Sequence, residues 1–150
     1  MRGLNGLRGS VTLDTSALIE YLAGSDLGLV VKMFFENLRP DERVYCSLYA
    51  VSETFYVLCR MKGLECARDE MDRIMRSGVI EIGGTVEMAL EAGRIKCERA
   101  ISIGDCSCIA TAKLTRSQAV FAQKEKELRE EIDRKVFDTS LVFLSDLTSR

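Results

Sequence analysis

Short runs of β-branched and aliphatic residues alternate along the chain with longer segments in which apolar residues recur at helical spacing. This alternation indicates parallel strands joined by crossover helices. The strand-like runs lie at residues 11–14, 43–47, 79–82, 119–122 and 141–144, and the helical segments lie at 16–22, 27–38, 48–62, 65–76, 86–99, 105–115 and 124–134. The pattern therefore predicts one α/β domain over residues 11–150, with about five short, mostly parallel strands, preceded by a flexible segment at 1–10. Ligands of such a sheet bind beyond the carboxyl ends of its strands.

The composition narrows the classes of function. Hydrophobic residues make up 47% and charged residues 29% of the 150 residues, which argues against disorder and against a membrane span. The 21 basic and 23 acidic residues give a net charge of −2, so any nucleic-acid binding is local. The absence of histidine excludes Ser-His-Asp triads, Cys-His pairs and histidine zinc sites within the chain. The first ten residues lack an apolar signal-peptide core, and the six cysteines contain no C-x-x-C pair, so we expect a cytoplasmic protein with free thiols.

Three acidic residues stand where the predicted sheet would bring them toward one rim. Asp14 ends the first strand, Asp105 opens the helix at 105–115, and Glu53 lies on the apolar helix at 48–62. Each aspartate could also be a helix N-cap, and Glu53 could have a structural partner elsewhere in the fold. Alternatively, the acids coordinate a metal, since hard oxygen ligands suit Mg²⁺ or Mn²⁺. Such a cation supports phosphodiester hydrolysis without a side-chain base.

Four strings of residues keep a characteristic order and spacing across nearly the whole chain: VTLDTSALIEYL, CSLYAVSETFYVLCR, ISIGDCSCIATAKL and AVFAQKEKEL. In that order they resemble the PIN domain family, and the single-domain size resembles its VapC-like toxin ribonucleases. The resemblance implies a three-layer α/β/α sandwich that cleaves RNA with acids around Mg²⁺ or Mn²⁺. It also implies that Asp14, Glu53 and Asp105 are the metal ligands and that Ser16 is the small hydroxyl residue following the first acid.

The fourth string departs from the family pattern. Where the family usually has Thr or Ser, any residue and then Asp, this chain has Gln123, Lys124 and Glu125. Glu125 keeps the charge on a longer side chain, so the resemblance implies a fourth catalytic acid in altered form. The charged run at 124–135 is also typical of a solvated helix. Lys124 could still neutralise RNA phosphates.

These observations together predict a divalent-metal-dependent ribonuclease, the toxin of a VapBC-type toxin-antitoxin pair. The resemblance implies RNA and an antitoxin protein as partners. A second copy of the chain is also expected, because the helices at 48–62 and 65–76 carry an excess of apolar residues. The alternative is a non-catalytic PIN-fold module that binds RNA or protein, which the altered fourth string keeps open. A phosphatase of the haloacid dehalogenase type is disfavoured, because Ser16 stands where it requires a second aspartate.

Overall fold

The computed structural model of the protein describes residues 6–148. Within that range the chain forms five strands, β1 (Val11–Leu13), β2 (Val44–Ser47), β3 (Ile80–Gly83), β4 (Gln118–Phe121) and β5 (Leu141–Phe143), and eight helices, α1 (Thr15–Ala23), α2 (Asp26–Glu36), α3 (Leu48–Lys62), α4 (Leu64–Arg76), α5 (Val86–Glu98), α6 (Ile103–Thr115), α7 (Lys126–Arg134) and α8 (Leu144–Thr148). Every predicted strand and helix is present. Helix α8 was not predicted because five residues are too few for a helical period to be read from the sequence.

The five strands form one parallel sheet with the order β3-β2-β1-β4-β5. The predicted parallel arrangement is therefore confirmed. Strand β1 lies at the centre and pairs with β4, so that Leu13 is opposite Val120. The chain order reverses between these two strands, and in open α/β sheets ligands bind at such a switch point, beyond the carboxyl ends of the strands.

Successive side chains along the strands point to opposite faces of the sheet, so the hydrophobic core has one part on each face. Val11 and Leu13 pack on one face with residues of α1, α2 and α3, whereas Ala119 and Phe121 pack on the other with residues of α5, α6 and α7. This period of two is the side-chain geometry of a strand. Helices consequently cover both faces, and the protein is a three-layer α/β/α sandwich.

The segment predicted to be flexible, residues 1–10, lies partly outside the described residues, which begin at position 6. Within the described part of it, Leu7 packs against the core, and the backbone N–H of Gly9 donates a 3.4 Å hydrogen bond to Glu42. The flexibility of the segment stays a prediction. None of the helices between residues 6 and 148 is long and apolar enough to cross a membrane.

Candidate active site

Asp14 follows β1 directly, at the point where the order of the sheet reverses. Its Oδ2 accepts a 3.0 Å hydrogen bond from the backbone N–H of Ser16, so Asp14 is the N-cap of α1. The hydroxyl of Ser16 donates to the same oxygen at 2.7 Å and accepts a 3.0 Å bond from the N–H of Ala122, just beyond β4. The same bonds that cap the helix also fix the carboxylate at the switch point, so the capping role is compatible with the predicted functional one.

Asp105 lies in the first turn of α6 and is not its N-cap. The helix begins at Ile103, and Ser102 caps it by accepting a 3.1 Å bond from the N–H of Asp105. The N-cap interpretation of Asp105 is therefore wrong. The side chain of Ser102 also lies near the Asp105 carboxylate, where hydrogen bonding opposes the rise in the pKa of that carboxyl group.

Glu53 lies in the middle of α3 and is half-buried, as its apolar surroundings predicted. The start of α6 comes very close to it at Gly104. A Cβ atom at position 104 would lie 3.4 Å from Glu53 Oε2 and 3.0 Å from Cε1 of Tyr49. A residue without a side chain thus lets the turn that carries Asp105 lie against Glu53.

The pKa values of the two aspartates show how these carboxylates influence one another. Burial raises the pKa of Asp14 to about 6, with a further contribution from Glu53, although the bonds from Ser16 oppose the shift. Burial also raises the pKa of Asp105 to about 7, and the charges of Asp14, Glu53 and Glu125 add to it. Burial and neighbouring negative charge both disfavour the ionised form.

The acids of the site have no basic ion-pair partner in the part of the chain that the structure describes. Within residues 6–148, none of the four carboxylates forms an ion pair with a basic side chain. Glu91 on α5 provides the contrast, because hydrogen bonds from Arg94 and Lys113 lower its pKa to about 2. The acids at the carboxyl edge of the sheet therefore form a local excess of negative charge.

Glu125 is more exposed than the other three acids. It occupies the N-cap position of α7 without making a side-chain capping bond, and its charge contributes to the raised pKa of Asp105. Gln123 is exposed as well. The ammonium group of Lys124 lies 5.1 Å from the centroid of the Phe143 ring. The charge of Glu125 therefore reaches Asp105, and the role of Glu125 as a fourth catalytic acid stays a prediction.

The acids are near one another, but their side chains are not arranged as a complete set of metal ligands. In the part of the chain that the structure describes, no group of three cysteine or acidic side chains is placed closely enough to hold a metal ion. The donor chemistry nevertheless fits a hard divalent cation, since the nearby groups are carboxylates without basic partners. Direct coordination by Asp14, Glu53 and Asp105 stays a prediction.

Sequence reasoning missed two side chains of this site, Tyr49 and Ser102. Burial and the neighbouring Glu53 carboxylate raise the pKa of Tyr49. Tyr49 stands four residues before Glu53 on one helix, which places the two on the same face and was the available signal. For Ser102 the signal was the three-residue spacing to Asp105.

Comparison with known protein families settles which family this is. The PIN domain family matches residues 11–140, which is most of the chain. The chain belongs to the PIN domain family. Among curated proteins none matches this PIN domain significantly.

Solved structures resemble this PIN domain in fold. The DNA-bound VapBC complex from Salmonella typhimurium has a TM-score of 0.66 at 13% identity, over 91% of this chain and 99% of that chain. VapC20 from Mycobacterium tuberculosis, described as a sarcin-ricin loop cleaving toxin, has a TM-score of 0.62 at 21% identity, over 81% and 94%. A toxin-antitoxin complex from Klebsiella pneumoniae has a TM-score of 0.61 at 17% identity, over 90% and 98%. At these identities the likeness establishes the fold alone.

Proposed function

We propose that this PIN domain is a divalent-metal-dependent ribonuclease that hydrolyses RNA phosphodiester bonds. The observation that carries the proposal is the pair Asp14 and Asp105, whose pKa values are raised to about 6 and about 7 by burial and by neighbouring acids. Keeping such carboxylates ionised costs free energy, which a bound cation relieves. Groups with pKa values perturbed in this way are enriched at functional sites. PIN domains are generally nucleases, which supports the reaction class.

RNA is the proposed substrate, and Mg²⁺ or Mn²⁺ is the proposed cation. Carboxylate oxygens suit both ions, and Asp14, Glu53 and Asp105 would hold the ion directly or through water. When bound, the cation supplies a hydroxide nucleophile and stabilises the charge that develops on the phosphodiester. VapC20, a structural neighbour, is described as a sarcin-ricin loop cleaving toxin, which supports RNA over DNA.

The residues of the chain itself do the positioning. Ser16 holds the Asp14 carboxylate and connects it to the end of β4, while Ser102 accepts a bond from the backbone N–H of Asp105 at the start of α6. Glu125 is exposed and would act through a water molecule at the outer side of the site, as a positioning group. The chain contains no histidine, so no imidazole takes or gives a proton at any step.

The proposed biological role is that of a VapC-like toxin that binds an antitoxin protein in the cytoplasm. Several structural neighbours are described as VapBC or toxin-antitoxin complexes, which supports an antitoxin as partner. The chain's own contribution to this proposal is the local negative charge at the carboxyl edge of the sheet. A basic side chain of a partner would be attracted to it.

A homodimer is proposed from the exposed apolar residues. Helix α4 buries Ala67 and Met71 against α3, whereas Leu48 on α3 is 59% exposed and Val86 and Leu90 on α5 are 75% and 70% exposed. Exposed apolar surface of this kind favours association, and a symmetric dimer is its commonest form. Sedimentation at tens of micromolar that finds only monomer would contradict the dimer.

A non-catalytic binding module is the second candidate function. The observation that favours it is the spacing of the acids, because no three of them, within residues 6–148, stand as a ready metal site. The exposed Gln123 and Glu125 point the same way, since the family pattern has a hydroxyl residue and an aspartate there. In this function the domain would bind RNA or protein without cleaving it.

Cleavage of a single-stranded oligoribonucleotide separates the two functions. We expect cleavage with Mg²⁺ or Mn²⁺ that stops on chelation, and we expect Asp14→Asn or Asp105→Asn to abolish it, because each removes a proposed ligand. Asp72→Asn is the matched control, since Asp72 lies exposed on α4 in an ion pair with Arg76. It should cleave like the wild type. Absence of metal-dependent cleavage by the wild type would favour the non-catalytic module.

A further inference from the structure

One side of α3 carries aromatic and basic residues that the proposed reaction does not use. Tyr49, Glu53, Tyr56 and Arg60 follow one another at spacings of three or four residues on a continuous helix, so they form a single stripe. We call Tyr49, Tyr56 and Arg60 the α3 platform. The two tyrosines are 39% and 45% exposed. The guanidinium carbon of Arg60 lies 5.0 Å from the centroid of the Tyr56 ring.

The α3 platform is continuous with the proposed metal site. Glu53 lies between the two tyrosines in the stripe, and Tyr49 contacts the turn of Gly104 that leads to Asp105. An RNA strand whose scissile bond lies at the proposed site would therefore continue across the rings of Tyr49 and Tyr56.

We propose that the α3 platform binds the bases of single-stranded RNA by stacking, next to the bond that is cleaved. This inference rests on the proposed ribonuclease function and states how that site holds its substrate. The bases would stack on the rings of Tyr49 and Tyr56, and Arg60 would contact a base face or a phosphate.

Electrostatics favours stacking over phosphate contacts at this place. The protein has a net charge of −2, and the acids beside the platform repel phosphate groups. Affinity for RNA must therefore come from contacts that do not depend on an extended basic surface. Stacking of a base on an aromatic ring is worth about 1–3 kcal/mol and tolerates any sequence.

Arg60 is the positively charged residue of the α3 platform. It forms no ion pair among residues 6–148, and its guanidinium group lies over the face of Tyr56. A cation over an aromatic ring extends the flat surface available to a base. This arrangement suits a nucleic-acid strand better than an apolar protein partner, because a buried and unpaired guanidinium would be costly.

The test measures binding of a short, unstructured oligoribonucleotide to the full-length protein in the presence of a chelator, so that no cleavage occurs. The chain has four tyrosines and no tryptophan, so tyrosine fluorescence reports stacking directly. We expect Tyr56→Leu to weaken binding by roughly 5- to 150-fold, the fold-change that corresponds to one lost stack. Tyr56→Phe keeps the ring and should restore most of the affinity.

Two controls separate stacking from charge. An oligomer of abasic ribose phosphates of the same length should bind weakly and should be insensitive to Tyr56→Leu. Arg60→Ala should weaken binding of the ordinary oligomer more than Arg76→Ala does, although both remove one exposed charge from neighbouring helices.

The outcomes distinguish this inference from the proposed function. Ring-dependent binding without metal-dependent cleavage would support the platform and contradict the ribonuclease. Cleavage and binding that are unaffected by Tyr56→Leu would overturn the platform alone. If Tyr56→Leu instead dissociates a dimer and leaves the RNA affinity unchanged, the surface is a subunit interface and the platform is overturned. Failure of the wild type to bind the oligomer would overturn it as well.

Discussion

The hydroxyl group of Ser16 joins the two central strands at the proposed site. It donates to Asp14 Oδ2 and accepts from the N–H of Ala122, so the ends of β1 and β4 are held in one arrangement. The sequence indicates that Ser16 is near the first acid, because the two are two residues apart. It does not reveal the second bond, because Ala122 is 106 positions away in the chain. Ser16 is therefore a positioning residue whose partner is defined only by the tertiary structure.

Glu125 provides a test of how the four acids differ. Because it is exposed and makes no capping bond, it should act only through the outer water shell of the cation. We expect Glu125→Gln to lower metal-dependent cleavage by roughly 10- to 100-fold, whereas Asp14→Asn should abolish it. Glu125→Asp, which restores the family residue, should equal or exceed the wild-type rate. Steady-state cleavage rates at saturating Mg²⁺ check this grading, and equal losses for Glu125→Gln and Asp14→Asn would make Glu125 a direct ligand.

Asp105 should destabilise the metal-free protein as the pH rises. Its folded-state pKa of about 7 lies above the unfolded value of 3.8, so between these values the folded state holds a proton that the unfolded state has lost. The free energy of unfolding therefore falls as pH rises through this window. Asparagine keeps the shape without the charge. We expect Asp105→Asn to raise the free energy of unfolding at pH 8 without metal, on the order of 2 kcal/mol, with little effect at pH 4.

Urea denaturation at pH 4 and pH 8 in a chelating buffer measures this difference. Asp72→Asn is again the matched control, since its exposed carboxylate pairs with Arg76 and lies outside the acidic group. A stability loss for Asp105→Asn at pH 8 would mean that the carboxylate is compensated in the folded protein, contrary to the account given for the site.

Two helical glycines allow the close contact between α3 and α6 to be tested. At Gly93 in α5 a Cβ atom would have no neighbour within 4 Å, whereas at Gly104 it would meet Tyr49 and Glu53. Gly93→Ala should therefore stabilise the protein by about 0.5–1 kcal/mol and leave cleavage unchanged. Gly104→Ala should gain less stability and lower cleavage several-fold, because the added methyl group displaces the Tyr49 ring or the Glu53 carboxylate.

Thermal unfolding and cleavage rates of the two variants provide the comparison. Equal stabilisation by both alanines, with unchanged cleavage, would show that the contact at Gly104 does not position Glu53.

Secondary structure could be predicted largely because it depends on local patterns. The bounds predicted from the strand runs and the helical periods lie within a few residues of the observed bounds of each element. The main local error was the start of α6, since Ser102 rather than Asp105 caps the helix. A capping serine and an acid three residues later form a known start signal. That signal, read from the sequence, would have placed Asp105 correctly in the first turn.

At the scale of the whole molecule, strand order determines what the acids can do together. Asp14 and Asp105 are 91 positions apart, and only the parallel order β3-β2-β1-β4-β5 brings the elements that carry them to one edge. The sequence predicted this edge through the general rule for α/β sheets. It could not give the distances between carboxylates, because these depend on how α3 and α6 pack.

The folded chain does not place the acids as a ready metal site. No three cysteine or acidic side chains in the described range are placed closely enough to hold a metal ion, so we expect the carboxylates to move closer together if a cation binds. The raised pKa values indicate that Asp14 and Asp105 are partly protonated near neutral pH without metal. Metal ligands must be deprotonated, so binding of the cation should release protons.

Calorimetric titration of the full-length protein with Mn²⁺ at pH 6.5, in buffers of different ionisation enthalpy, tests this central claim most directly. We predict that binding releases protons, that the release disappears above pH 8, and that Asp14→Asn loses both the binding and the release. Binding without proton release, or binding that Asp14→Asn leaves intact, would contradict a metal site built from these acids.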